Sequence, residues 1–366
     1  MKQRFSLSVA IAATLLNCPV SAQQWRAQRE FVIAAPAGAD SYWASISGIA
    51  VSGDRLYALD SKAFKLYAFQ LAGTRALWVS GRQGAGPGDF SVGALTVIPN
   101  PQGTVVVPDL GNQRLTVFDS LGKPRTNTPF KTHGGLPTDW FSLGDRIVYL
   151  LRPLPNAAIA QSQLQAVQQA TLIARAWSGR EDTLFSSPAP ATFRFLAGNR
   201  VIANLSPSRI NVASDGTHLY VATNDEYSIR VFDASGTQLM TLTRAVQPVP
   251  VPAAKRKELE DMAAAIRQGL PPQMKSYALS FEYPTHLQAA SQLVAGDGVL
   301  LVRRGDLAAI NGNVVWDVFD RHRFAGTLLL SAAFSPRVIH RTRLYGIAYD
   351  EFDVPQLVGY LLQRPN

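Results

Sequence analysis

The residue types best suited to chemistry are few here. The chain has five histidines, His133, His218, His286, His322 and His340, and one cysteine, Cys18, in 366 residues. Imidazole is a general base near neutral pH and a common ligand of zinc and copper. No two of these histidines stand in the His-x-x-x-His spacing that sets both rings on one helix face for zinc. A single cysteine excludes a Cys-rich zinc or iron–sulfur centre and a disulfide scaffold. The densest acidic run, Asp350-Glu351-Phe352-Asp353, has the carboxylates a Ca²⁺ site needs, but it reads as a loop between strands. No Gly-x-Ser-x-Gly elbow occurs, and Ser47-Gly48 falls in an expected inner strand, where a serine packs. The stretch Gly81-Arg82-Gln83-Gly84-Ala85-Gly86-Pro87-Gly88-Asp89-Phe90 is glycine-rich without the Gly-Lys-Ser/Thr or the following helix of a phosphate loop. These motifs assign no catalytic residue, no metal ligand and no cofactor.

The elements that would have to position such residues are β-strands in a repeat. One unit starts with a polar turn and an apolar strand: Gly53 to Asp60, Gly144 to Leu151, Asp215 to Ala222, and Gly296 to Val302. A second strand follows and ends in an aromatic residue: Lys65 to Phe69, Arg114 to Phe118, Ser228 to Phe232, and Val315 to Phe319. Asp119-Ser120-Leu121-Gly122 and Asp233-Ala234-Ser235-Gly236 come next, as hairpin turns in which Asp caps and Gly takes positive φ. Apolar residues alternate within the strands, the period of a sheet packed on its faces. The repeat registers at Asp60, Asp109, Leu151, Asp225, Asp306 and Asp350, giving six units. Insertions are expected at about 156–170 and about 251–283. Ala253 to Gln268 carries Leu259, Met262, Ala263 and Ile266 on one helical stripe, with prolines before it and Gly269 after it. This helix reads as a lid on the rim, or alternatively as a docking helix.

Six short antiparallel units predict an all-β, six-bladed propeller as one domain over 23–366, with the helical insertion between blades four and five. The last unit shows three evident strands. The isolated strand Glu30 to Ala34 is therefore expected to complete it and clasp the two chain ends.

Met1 to Arg4 is basic, Phe5 to Leu16 is apolar, and Val20-Ser21-Ala22 places small residues at a cleavage site. Residues 1–22 thus read as a secretory signal, and the protein as periplasmic or extracellular. Leu15-Leu16-Asn17-Cys18 is similar to a lipobox with Asn17 out of pattern, which makes a lipid anchor on Cys18 the alternative. With 35 Lys+Arg against 26 Asp+Glu the formal charge is +9, and 17% of residues are charged. The basic residues are scattered with no nucleic-acid-binding pattern, so no nucleic-acid partner is expected. No later apolar run is long enough for a membrane span. A monomer is expected.

The Gly-rich link ending in Asp89-Phe90, followed by Asp109-Leu110-Gly111-Asn112-Gln113-Arg114 and Phe118, resembles an NHL-repeat propeller. The full pattern covers the second unit only; Asn224 to Arg230 keeps a looser form, and unit one keeps Asp60 and Lys65. The whole chain is similar to bacterial secreted six-bladed propellers, and the resemblance implies six blades without an activity. Within this architecture, six-bladed lactonases hold a metal with Glu, Asn and Asp, and amidating lyases use histidines. Neither ligand pattern is matched. The spacing of Asp109, Asn112 and Arg114 points to a local hydrogen-bond clasp.

In a propeller, the loops before each inner strand and after each second strand share one face. That face is expected to carry Tyr42, Trp43, Trp140, Arg152, His286, Arg303, Arg304 and Arg337. Aromatic rings and guanidiniums there suit an anionic, carbohydrate or peptide ligand, or an envelope protein. Arg303, Arg304, Arg321, Arg323, Arg337, Arg341 and Arg343 motivate the anionic option. The expected function is a binding or scaffold module. The alternatives are a metal-dependent hydrolase or lyase of the same shape, and an envelope-assembly protein.

Overall fold

The computed structural model describes residues 24–36, 42–71, 73–100, 103–131, 135–153, 169–188, 193–205, 210–223, 226–270, 275–305 and 312–365. The signal segment with Cys18, His133, most of the 156–170 insertion, Asp225 and Asp306 lie outside the described residues.

Among the described residues the strands form six four-stranded antiparallel blades, each in simple up-and-down order. Blade 1 is Ile46–Ser52, Arg55–Asp60, Lys65–Gln70 and Ala76–Ser80. Blade 2 is Ile98–Pro99, Val105–Asp109, Arg114–Phe118 and Pro124–Pro129. Blade 3 is Gly135–Leu143, Arg146–Pro153, Gln169–Ala176 and Glu181–Pro188. Blade 4 is Ile210–Ser214, Leu219–Thr223, Ser228–Phe232 and Gln238–Thr243. Blade 5 is Gln292–Gly296, Val299–Arg303, Asn313–Asp320 and Arg323–Ser331. Blade 6 is Phe334–His340, Arg343–Tyr349 and Pro355–Gln363, and its fourth strand is Gln24–Ile33 from the start of the chain.

Closure therefore follows the expected route, with the first strand starting six residues earlier than the sequence pattern marked. It pairs antiparallel with Pro355–Gln363, from Arg26 opposite Gln363 to Ile33 opposite Leu357. At its start it also pairs parallel with blade 5, Gln24 with Thr327 and Trp25 with Leu328. The indole of Trp25 donates to Ala325 O at 3.0 Å.

The core is divided into seams. Among the described residues there are six buried apolar clusters, each shared by two neighbouring blades, and one of them joins blade 6 to blade 1. Alternation sorts the residues: Leu56 and Ala58 belong to the seam with blade 6, Tyr57 and Leu59 to the seam with blade 2. A strand covered on both faces is buried at every position, as Val105–Asp109 is, its four apolar residues followed by the buried Asp109. The same sorting places Val299 and Leu301 toward blade 6 and Leu300 and Val302 toward blade 4.

The helix spans Ala253–Gln268 between blades 4 and 5. Its stripe is only half used: Leu259 and Ala263 are buried, while Met262 is exposed. A side sheet was not legible in the sequence. The hairpin Phe193–Leu196 and Arg200–Asn204, inserted between blades 3 and 4, pairs in parallel with Ala278–Glu282 from the helical insertion. Each insertion thereby satisfies backbone groups that it would otherwise expose.

Candidate functional site: the axial channel

The inner strands line a central channel of about 800 Å³. Its two mouths differ in construction. At one, the turn mouth, first and second strands are joined by short turns, of two residues at Gly53-Asp54, Asp297-Gly298 and Arg341-Thr342 and of four residues between Ser214 and Leu219 in blade 4. At the other, the loop mouth, the chain passes from blade to blade and from second to third strands through longer connections.

Near the loop mouth, three inner strands break register. The breaks release Ser47 in blade 1, Asp139 and Trp140 in blade 3, and Arg337 in blade 6. All four residues line the channel. A bulge turns one extra side chain out of the ladder and re-aims it. In blade 3 the bulge is self-satisfied. Arg152 bonds Asp139 at 3.0 Å and Thr138 Oγ1 at 3.0 Å, and it reaches Ile210 O of blade 4 at 3.1 Å. Trp140 packs beside Tyr149, centroids 4.7 Å apart, and edge-on to Phe130 at 5.2 Å. In blade 6 the bulge is held from blade 5, where Gln292 Nε2 donates to Pro336 O at 3.3 Å. The Arg337 side chain is exposed and has no hydrogen bond or ion pair among the described residues. Close packing behind the wall leaves no room for a side chain at Gly48, whose Cβ would lie 2.7 Å from Thr96 Cα.

The expected mouth residues therefore separate. Trp140 and Arg337 line the channel. Arg303 caps a blade 5 strand on the face that Val299 and Leu301 turn to blade 6. Arg152 is an inter-blade tie. Trp43 is a correction: it is 1% exposed, donates to Ile33 O at 2.9 Å and sits edge-on to Tyr67, so it is core. Arg304 lies close enough to Tyr227 to act on it electrostatically, in the blade 4–5 seam. There Tyr227 donates to the fully buried Asp317 at 2.7 Å, and Arg244 forms an ion pair with the same carboxylate. Burial, first, and the Asp317 charge push the Tyr227 phenol well above its ordinary range. His286 is exposed outside the channel wall, bonded to Thr285 Oγ1 at 3.0 Å. The arginines of the last third do not gather at one mouth. Arg321, Arg323 and Arg341 stand at the turn mouth, and Arg343 is bonded to Glu30 at 2.7 Å on the closing strand.

Asp109, Asn112 and Arg114 make the expected clasp. Asp109 accepts from Ser91 N at 2.9 Å and from Asn112 Nδ2 at 2.8 Å. Arg114 donates to the carbonyls of Ala85, Gly86 and Asp89 at 2.7–2.8 Å, pinning the Gly-rich link. Asp60 repeats the device, accepting from the amides of Ala44, Ser45 and Ala63. Asp350 caps its own loop through the amides of Phe352 and Val354, both at 2.9 Å. Among the described residues no group of three His, Cys, Asp or Glu side chains is arranged to hold a metal ion.

At the turn mouth the channel wall includes Asp215, Asp297 and His340. Burial, chiefly, lowers the pKa of His340 below its ordinary 6.5. Sequence spacing gave no sign of this convergence, which comes from turns in different blades.

No family model matches the sequence, and no curated protein matches it. Solved structures do. A protein of Bacteroides fragilis NCTC 9343 named as exported aligns at TM-score 0.53 and 11% identity, over 93% of this chain and 99% of its own. A DUF4221 family member from Bacteroides vulgatus aligns at TM-score 0.57 and 12% identity, over 93% and 98%. Virginiamycin B lyase from Staphylococcus aureus aligns at TM-score 0.42 and 11% identity, over 87% and 95%, a likeness too slight to bear on activity. At these identities the first two show a shared fold. No helix among the described residues is long and apolar enough to cross a membrane.

Proposed function

We propose that this protein is an exported, monomeric propeller that binds a small carboxylate-bearing ligand at the loop mouth of its channel. The observation that carries the reading is the bulge at Arg337. It sets a guanidinium with no described partner on the channel wall. A free guanidinium presents a planar fork that matches a carboxylate in two parallel hydrogen bonds. Ser47 and Trp140, re-aimed by the other two bulges, add a hydroxyl and an aromatic face for orientation. Arg303 supplies a second positive charge on the blade 5 face next to blade 6. Exported relatives in fold and the signal-like start support the location. The clasps at Asp60 and Asp109 support reading the blades as NHL-like.

The test uses two probe series. One is short peptides with free or amidated C-termini; the other is oligosaccharides with uronate or neutral sugars. Binding is expected in the carboxylate-bearing arm of one series, and Arg337→Ala is expected to weaken it at least about tenfold, the loss of a charge-assisted pair. Equal binding by Arg337→Ala, or no carboxylate preference in either series, refutes the reading.

A further inference from the structure

Two histidines meet at the turn mouth, far from Arg337. His218 is the last residue of the four-residue turn between the first and second strands of blade 4, and His322 sits in the two-residue turn between the third and fourth strands of blade 5. Their rings are 4.7 Å apart between centroids, with planes at 90°. Each ring has one nitrogen committed. Tyr220 donates its only proton to Asp215 Oδ2 at 3.0 Å, so His322 Nε2, 3.2 Å from the phenol oxygen, is the donor in that contact. Nδ1 of His322 then keeps its lone pair. His218 Nδ1 faces Asp215 Oδ2 at 3.2 Å and carries the proton, which leaves the lone pair on Nε2. The Asp215 carboxylate is itself fixed by the amides of Thr217 at 2.8 Å and His218 at 2.6 Å, and is 4% exposed.

From this geometry we propose that His218 and His322 form a two-imidazole site for a divalent first-row cation of the Cu²⁺, Ni²⁺ or Zn²⁺ class. Ligand imidazoles are held by a hydrogen bond from their other nitrogen to a carboxylate or another polar group, which fixes tautomer and ring plane. Here a carboxylate does this for one ring and a phenol for the other. Both Asp215 oxygens are already spent on hydrogen bonds, so the protein supplies two donors and water completes the coordination. Two nitrogen donors suit Cu²⁺ best in this row and leave the oxygen-seeking Ca²⁺ unbound.

The test titrates Cu²⁺, Ni²⁺ and Ca²⁺ into tag-free protein at pH 7.5 by calorimetry, with electron paramagnetic resonance of the Cu²⁺ form. One saturable site is expected, with coupling from two imidazole nitrogens and no Ca²⁺ heat. His218→Ala and His322→Asn are each expected to weaken it at least about tenfold, and Tyr220→Phe, which keeps both imidazoles but removes the phenol contacts to His322 and Asp215, roughly tenfold. Asn suits the left-handed turn position of His322, φ 64°, so that variant keeps the hairpin. Absence of a saturable site, or unchanged binding in both histidine variants, overturns the proposal and leaves the pair as an inter-blade contact.

Discussion

Trp25→Ala attacks the closure on which the channel depends. Trp25 is 4% exposed and lies in the cluster shared by blades 5 and 6. Truncating a buried tryptophan costs about 3–5 kcal/mol, and its indole hydrogen bond to Ala325 adds about 1 kcal/mol. Against a total stability of about 5–15 kcal/mol for a folded domain, that is a large share. Trp78→Ala is the comparison. Trp78 also lies on a fourth strand and donates to Ser120 O at 2.9 Å, but it is partly exposed and joins blades 1 and 2. Two measurements separate the cases: urea unfolding, and hydrogen exchange of residues 24–33 relative to 46–52. Trp25→Ala should lose several kcal/mol and release 24–33 ahead of the blade 1 strand. Trp78→Ala should lose less and leave that strand protected. A Trp25→Ala protein within about 1 kcal/mol of wild type, with 24–33 still protected, would refute closure by the first strand.

Two further perturbations address the seams. Asp317→Ala strands the Tyr227 hydroxyl and Arg244 in the blade 4–5 seam and should destabilise by about 3 kcal/mol, whereas Tyr227→Phe should cost about 1 kcal/mol; similar losses for the two in urea unfolding would place the energy elsewhere. His340 is held neutral by burial, with Asp297, Arg341 and the backbone of Gly53 around it. As pH falls below 6.5 the unfolded chain takes up a proton at this site before the folded one does, so stability falls with pH until the folded ring protonates too. The wild-type decline attributable to His340 should stay under the roughly 1.4 kcal/mol per pH unit of one whole proton, and His340→Gln should make the acid limb shallower; an unchanged limb would show that the ring titrates normally.

The fold was legible where local chemistry repeats. Turns such as Gly53-Asp54 and Asp297-Gly298 demand positive φ, and the strands between them alternate, so unit positions could be read directly. The helix was legible from its flanking prolines and Gly269. Contacts between units were not. Trp43 precedes an inner strand and looks like a mouth aromatic, yet the Ile33 carbonyl and the Tyr67 ring enclose it. Arg200–Asn204 and Ala278–Glu282 pair in parallel across two insertions, and neither segment's pattern names its partner. The Arg337 bulge had a faint signal in Pro336, since a proline inside a strand often marks a bulge. His218 and His322 had none in their spacing; aligning turns of different blades at one end of the channel would have brought them together.

The two mouths divide the labour along the chain. At the turn mouth, Ser52 pairs Arg55, Leu143 pairs Arg146, Gly296 pairs Val299, Asp320 pairs Arg323 and His340 pairs Arg343, so each of these five connections has two residues, while the one between Ser214 and Leu219 in blade 4 has four. Turns this short fix backbone direction tightly. Side chains rooted in them, such as His322, hold their positions to the precision of the sheet itself. At the loop mouth the connections are long enough to change without disturbing a seam, and the side chains set on the wall there come from bulges. A precise few-atom contact belongs at the first mouth, and selectivity among larger ligands at the second. If the loop mouth takes the proposed carboxylate ligand, substitutions in the longer connections should alter which carboxylate binds, while leaving the His218–His322 geometry and the seam clusters unchanged.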